Sequence, residues 1–260
     1  MDLLEKKNKM EAEIAEKVLL ETIDPPEGLY EKLGIIDTRE KRGVSEGRIN
    51  NISSELAETF SFYRAYPDVF LDTLADPEQK FEFFFYQRVF LRSIMRHRYV
   101  YATFPRAYSK SFLSILGLYV KCTLYPGAKL FIVSGGKEQS AKIAKEKLDE
   151  IWQFFPALKN ELIWGKGHGT TQIQNDYINL RFKNGSYLDI VAAKQSSRGG
   201  RRTGGLIEEA AQVPGDILSE VVIPMMNVSR RAPFGGEDPN DITNKSQIYI
   251  NFIAKKVTFL

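Results

Sequence analysis

The chain of 260 residues, 43% hydrophobic and 27% charged, is long enough for one large α/β domain with an appendage, and its apolar fraction excludes a wholly disordered chain. One cysteine, Cys122, excludes a disulfide scaffold and a cysteine-based zinc site. The two histidines, His97 and His168, leave little for a histidine-based one, and a reducing, intracellular setting is expected. The net charge of +3 is uneven: residues 1–60 hold 14 acidic and 9 basic side chains, while Arg181 to Arg202 carries six basic residues against Asp189, the pattern of a phosphate-rich partner or of a solvated loop.

In chain order, Leu3, Leu4, Met10, Ile14, Val18 and Leu19 recur at helical spacing and predict a helix over 3–22, stopped by Asp24-Pro25-Pro26. The N-terminus lacks the apolar core of a signal peptide, and no run approaches the ~20 apolar residues of a membrane span. Residues 27–50 read as loops with a short helix. Further helices are expected over 53–66 and 67–74, so that 1–54 form a helical appendage and the compact domain begins near Glu55. The segment from Glu82 to Arg96 reads as an amphipathic helix with Phe83, Phe84, Tyr86, Phe90, Leu91 and Ile94 on its buried face.

Tyr99 to Phe104 is a short apolar run rich in β-formers, read as a buried strand; Pro105 to Ser109 is a loop, and Ser111 to Leu124 a helix ended by Pro126-Gly127. Lys129 to Val133 is a second buried strand, followed by a helix from Glu138 to about Phe155. Asn184-Gly185 between two apolar runs, 177–182 and 186–193, is a hairpin signal. Gly205 to Glu208, a helix near Ile217 and a late strand over 247–253 complete the chain. Strands alternating with helices imply a mainly parallel, three-layer α/β sheet.

Two junctions carry chemistry. The strand ending at Phe104 runs through Pro105-Arg106-Ala107-Tyr108-Ser109 into Lys110-Ser111 at a helix start. A helix start offers free N–H groups and the positive end of the helix dipole to phosphates; Lys110 would reach the β/γ-phosphates and the Ser111 hydroxyl would hold Mg²⁺. The usual pattern is G-x-x-x-x-G-K-[ST], and here Phe104 and Ser109 stand where its glycines would be. The second junction, Leu206-Ile207-Glu208-Glu209-Ala210, is a strand ending in two carboxylates. On a parallel neighbouring strand, Glu208 would hold Mg²⁺ through water and Glu209 would polarise an attacking water. Gln87 can read an adenine edge with both its donor and its acceptor, or sit at the surface. Among Arg198, Arg201 and Arg202, just upstream of the carboxylate strand, an arginine can stabilise transition-state charge or grip DNA phosphate.

Together these residues resemble the large terminase subunit of tailed bacteriophages, in its N-terminal packaging ATPase domain. Arg106-Ala-Tyr-Ser-Lys-Ser111 is similar to that family's deviant R-Q-x-G-K-[ST] phosphate loop, Tyr86-Gln87 to its adenine motif, and Arg198-Gly-Gly-Arg201 with Leu206-Ile-Glu-Glu-Ala210 to its R-G-x-R and D-E-A segment. Val133-Ser-Gly-Gly-Lys-Glu-Gln139 resembles the second strand and the helix after it. The resemblance spans roughly 60–253. It implies a RecA-like P-loop ATPase domain over 55–260 that binds ATP and Mg²⁺ and translocates double-stranded DNA into a procapsid. The implied partners are a portal protein and a small terminase subunit, with a homo-oligomeric ring on the portal, no membrane, and the host cytoplasm as location. It implies Arg198 as first choice for an arginine acting in a neighbour's site, and Arg106 acting within its own chain. Two departures stand out. Asn251-Phe-Ile-Ala does not match the coupling motif, and the family's C-terminal nuclease domain has no room in 260 residues, so no nuclease activity is expected of this chain. Another RecA-like translocase or helicase, or a non-catalytic nucleotide- or DNA-binding module, remains an alternative.

Overall fold

A computed structural model describes residues 58–79, 81–105, 107–134, 137–174, 177–192, 200–230 and 245–252. The expected appendage over 1–54 lies outside them, and only 58–65 of the helix expected over 53–66 is described, as helix. A mainly parallel α/β class is what forms, around a seven-stranded sheet. The strands are β1 (Tyr99–Phe104), β2 (Lys129–Ser134), β3 (Gln172–Ile173), β4 (Ile178–Arg181), β5 (Tyr187–Ala192), β6 (Gly204–Glu208) and β7 (Ser246–Phe252). The principal helices are α1 (Pro67–Leu74), α2 (Phe85–Arg96), α3 (Lys110–Leu124) and α4 (Lys137–Phe154). The strand order is β1-β7-β6-β2-β5-β4-β3; the first five are parallel, and β4 and β3 are antiparallel additions.

Both faces of the interior strands β2 and β6 are covered, which is why they read as continuous apolar runs, whereas β1, expected as a buried strand, lies at the sheet edge and leaves Tyr99 and Tyr101 exposed on one face. On β2, Leu130 and Ile132 join the larger core with α2, α3 and α4, while Phe131 and Val133 pack with Val221, Val222, Met225 and Met226 on the opposite face. The connections β1–α3–β2 and β2–α4–β5 run one way along the sheet on the first face. The return from β6 to β7 carries its short helices, within 210–225, on the second. Right-handed crossovers require this: reversing the direction moves the helix to the other side. The outcome is the expected three layers.

α3 is buried all round, beyond the single face expected of it: every residue from Phe112 to Cys122 is buried. A Cβ at Gly117 would collide with Ile94 Cδ1, so this glycine lets α3 approach α2 closely. The hairpin forms at Asn184-Gly185, with Gly185 at φ +80. The Asn184 side-chain amide donates to the Cys122 and Thr123 carbonyls at 2.8 and 3.0 Å, which anchors the turn to the end of α3.

Two expectations are corrected. Phe84 does not belong to the buried face of α2 but is 67% exposed, because the helix starts only at Phe85 and Phe84 precedes it in extended backbone. The strand of Glu208 is not the neighbour of β1, since β7 lies between them and pairs in parallel with both.

An ion-pair cluster fixes α1 on α2. Asp68 is fully buried and accepts from Arg92 Nε and Nη2, both at 2.7 Å, and from Arg88 Nη1 at 3.1 Å. Burial pushes its carboxyl up, but the hydrogen bonds from Arg92 and Arg88 outweigh this and hold it below the usual carboxylate range.

Candidate active site

β1, β7 and β6 are parallel, so the chain leaves β1 and β6 at the same edge of the sheet. Between β1 and α3 the backbone is left-handed at two non-glycine residues, Ala107 (φ +64) and Ser109 (φ +49, ψ +29). Left-handed residues set into a tight turn direct peptide N–H groups toward a common concavity, which suits an anion. A glycine would adopt this backbone freely; an L-residue does so at roughly 1–2 kcal/mol. Ala107 and Ser109 thus hold a left-handed backbone without being glycines, at the cost of strain. The first intrahelical bond of α3 runs from Leu113 N–H to Ser109 C=O at 2.9 Å, so the N–H groups of Lys110 to Phe112 precede the helix's own ladder.

The Ser111 hydroxyl donates to Glu208 Oε1 at 2.6 Å. Lys110 Nζ lies 3.2 Å from Glu209 Oε1 and 3.8 Å from Glu208 Oε1. Glu209 itself is left-handed (φ +53, ψ +47), a turn directly after β6 that brings both adjacent carboxylates back to Lys110. These four side chains come from two strand ends separated by β7. Lys110, Ser111 and Glu209 among them border a cavity of about 400 Å³, lined also by Pro105, Ala107 to Ser109, Phe112, Lys147 and Gln212.

A hydroxyl and a carboxylate 2.6 Å apart are the hard oxygen donors Mg²⁺ prefers, and Ser111 and Glu208 therefore fit the ion expected there. Among the described residues no cluster of three or more His, Cys, Asp or Glu side chains forms.

The other expected site residues divide. Ala107, Tyr108, Ser109, Lys110 and Ser111 line the cavity. Gln87 does not line it. It is 5% exposed, and its Oε1 accepts the Phe84 N–H at 2.9 Å, closing the first turn of α2. Arg106 and Arg198 lie outside the described residues. Arg202 is committed: Nη2 donates to Asp189 at 2.6 Å and Nη1 to the Tyr187 hydroxyl at 3.1 Å, and Asn179 binds the other Asp189 oxygen. Burial pushes the Asp189 carboxyl above its usual value against the pull of Arg202. Arg202 thus serves the β4–β5 region, whereas Arg201 is exposed. Lys147 on α4 and Gln212 after β6 were not anticipated. Lys147 is one lysine among several on a helix, and only the packing of α4 beside α3 directs it to the cavity.

No protein-family model matches the chain, and no curated protein matches it. Solved structures do. A variant of the large terminase ATPase domain of Thermus phage P74-26 is 15% identical over 66% of this chain and 65% of that one, with a TM-score of 0.44. The large terminase of bacteriophage HK97 is 13% identical over 70% of this chain and 36% of that one, with a TM-score of 0.47. The large terminase of a thermophilic bacteriophage in complex with ATP-γ-S is 12% identical over 66% and 38%, with a TM-score of 0.43. The chain thus covers less than two thirds of each of these proteins. In fold, what it is similar to is the ATPase domain of phage large terminases.

Proposed function

We propose that this chain is a nucleoside-triphosphate hydrolase that acts as the ATPase motor domain of a phage large terminase, driving double-stranded DNA into a procapsid. The observation that carries the hydrolase reading is the meeting of Lys110 and Ser111 with Glu208 and Glu209 at one edge of the sheet. The order of motifs along the chain supports the terminase reading.

The N–H groups of the loop and of the first turn of α3 bind the phosphates, and Lys110 meets the β/γ oxygens. Phosphate binding draws Lys110 away from Glu209, and the freed carboxylate then orients and polarises the attacking water. Ser111 and Glu208 would hold Mg²⁺, which would supply charge neutralisation at the phosphates. The double-stranded DNA, portal, small-subunit and ring partners belong to this proposal, as do the host-cytoplasmic location and the trans arginine. Among the described residues no helix is long and apolar enough to cross a membrane.

Steady-state phosphate release, with and without double-stranded DNA, tests the reading. ATP-dependent release that vanishes in Glu209→Gln supports it. ATP binding without release in the wild-type chain, alone or with DNA and portal, favours the non-catalytic alternative.

A further inference from the structure

Tyr108 and its neighbours have no task in the scheme above. Tyr108 stands inside the phosphate loop, lines the cavity, and is 45% exposed. Its ring centroid lies 5.2 Å from that of Tyr86, and Tyr86 in turn stacks on Phe84 at 6.0 Å with an interplanar angle of 11°. Three rings therefore run from the start of α2 to the rim of the cavity, and Phe84 is itself 67% exposed. Isolated exposed aromatics are ordinary. A connected row ending at a phosphate-binding concavity is a platform whose outer ring, Tyr108, makes no ring contact but that with Tyr86 among the described residues and is partly open to solvent.

Gln87 adds the second observation. The sequence suggested it as the reader of the base, through its donor and acceptor together. Its Oε1 instead accepts the Phe84 N–H, and the residue does not line the cavity. This capping bond holds the backbone of Phe84 and so places the Phe84–Tyr86 end of the aromatic row.

We infer that the nucleobase of the bound triphosphate stacks on the Tyr108 ring, with Tyr86 and Phe84 as its backing, and that Gln87 positions this platform rather than reading the base edge. The inference rests on the phosphate site proposed above and names how that site recognises the rest of its substrate. Every base has a π-face, so stacking binds adenine and guanine alike. Discrimination between ATP and GTP is accordingly weak, while a triphosphate without a base binds by the loop alone.

Calorimetric titration of the wild-type chain, Tyr108→Ala and Tyr108→Phe with ATP-γ-S, GTP-γ-S and inorganic tripolyphosphate tests this. Tyr108→Ala is expected to weaken both nucleotides roughly 10- to 100-fold and to leave tripolyphosphate unchanged. Tyr108→Phe, which keeps the ring, is expected to bind all three as the wild type does. Equal weakening of tripolyphosphate would make Tyr108 a shaper of the loop and overturn the inference, as would no loss with either nucleotide. A preference for ATP-γ-S over GTP-γ-S of 100-fold or more would return base recognition to edge reading. A wild-type chain that binds neither nucleotide nor tripolyphosphate would instead remove the phosphate site, and the inference with it.

Discussion

The hydroxyl of Ser111 and the carboxylate of Glu208 are joined at 2.6 Å although 97 residues separate them in the chain, and β7 lies between their strands. One end of this bond opens α3 and the other ends β6, so the bond ties the start of α3 to the acidic edge.

Lys110 and Glu209 should separate binding from chemistry. Lys110→Ala is expected to weaken ATP binding and abolish turnover. Glu209→Gln is expected to keep binding and lower the hydrolysis rate by about 10²–10⁴-fold, since the amide cannot polarise water. Measured affinity and phosphate release for the two variants check this; a Glu209→Gln variant that hydrolyses at the wild-type rate would remove Glu209 from the mechanism.

Ser109 is left-handed without being glycine. Ser109→Gly relieves that strain while adding freedom to the unfolded chain, so denaturant-measured stability should change by no more than about 1 kcal/mol. Ser109→Val places a β-branched side chain in the same backbone and should cost roughly 1–3 kcal/mol. Equal stability of the two variants would mean that the loop does not hold this conformation in solution.

Asp68 and Asp189 should give opposite pH slopes. The Asp68 carboxyl sits below its unfolded value of 3.8, so its contribution is present above that pH and lost as pH falls through the lower folded value. Asp189 sits above 3.8, so the folded state holds its proton longer, and the cost of ionising it appears as pH rises from 3.8 through its folded value. Asp68→Asn leaves Arg88 and Arg92 without their shared partner. Because both guanidiniums are about a third exposed, the loss should fall near the lower end of the range for a broken buried pair, about 3 kcal/mol. It should also flatten the acid limb of stability. Urea titrations at a series of pH values read both effects, and an unchanged acid limb in Asp68→Asn would contradict the assignment.

The arginines should divide by role. Arg202→Ala is expected to lower thermal stability, because it strips a buried carboxylate of its partner. Arg201→Ala should leave stability near the wild type. For Arg198, a role in a neighbour's site predicts that Arg198→Ala mixed with Glu209→Gln recovers activity in mixed assemblies. A DNA-gripping role predicts no recovery and a salt slope shallower by about one unit.

Much of the architecture was legible in the chain. Helix 67–74 and strand 99–104 form with the bounds expected of them, and the Asn184-Gly185 hairpin forms where expected. These signals are local: apolar runs, periodicity and turn residues act within a few positions. The start of α2 was not legible. The Phe-rich run 83–85 has no capping signature beyond Gln87, and whether Phe84 turns inward depends on where the first helical turn closes.

Read from the chain alone are the chemical groups and the elements that carry them: a Lys-Ser pair at a helix start and a Glu pair at a strand end, on a mainly parallel sheet. Their partners came from packing. It put β7 between β1 and β6, committed Arg202 to Asp189 and Gln87 to the first turn of α2, and brought Lys147 and Tyr108 to one cavity. The physical reason is range. Helix, strand and turn preferences are set by neighbours along the chain, whereas strand order and side-chain pairing depend on packing between segments about a hundred residues apart.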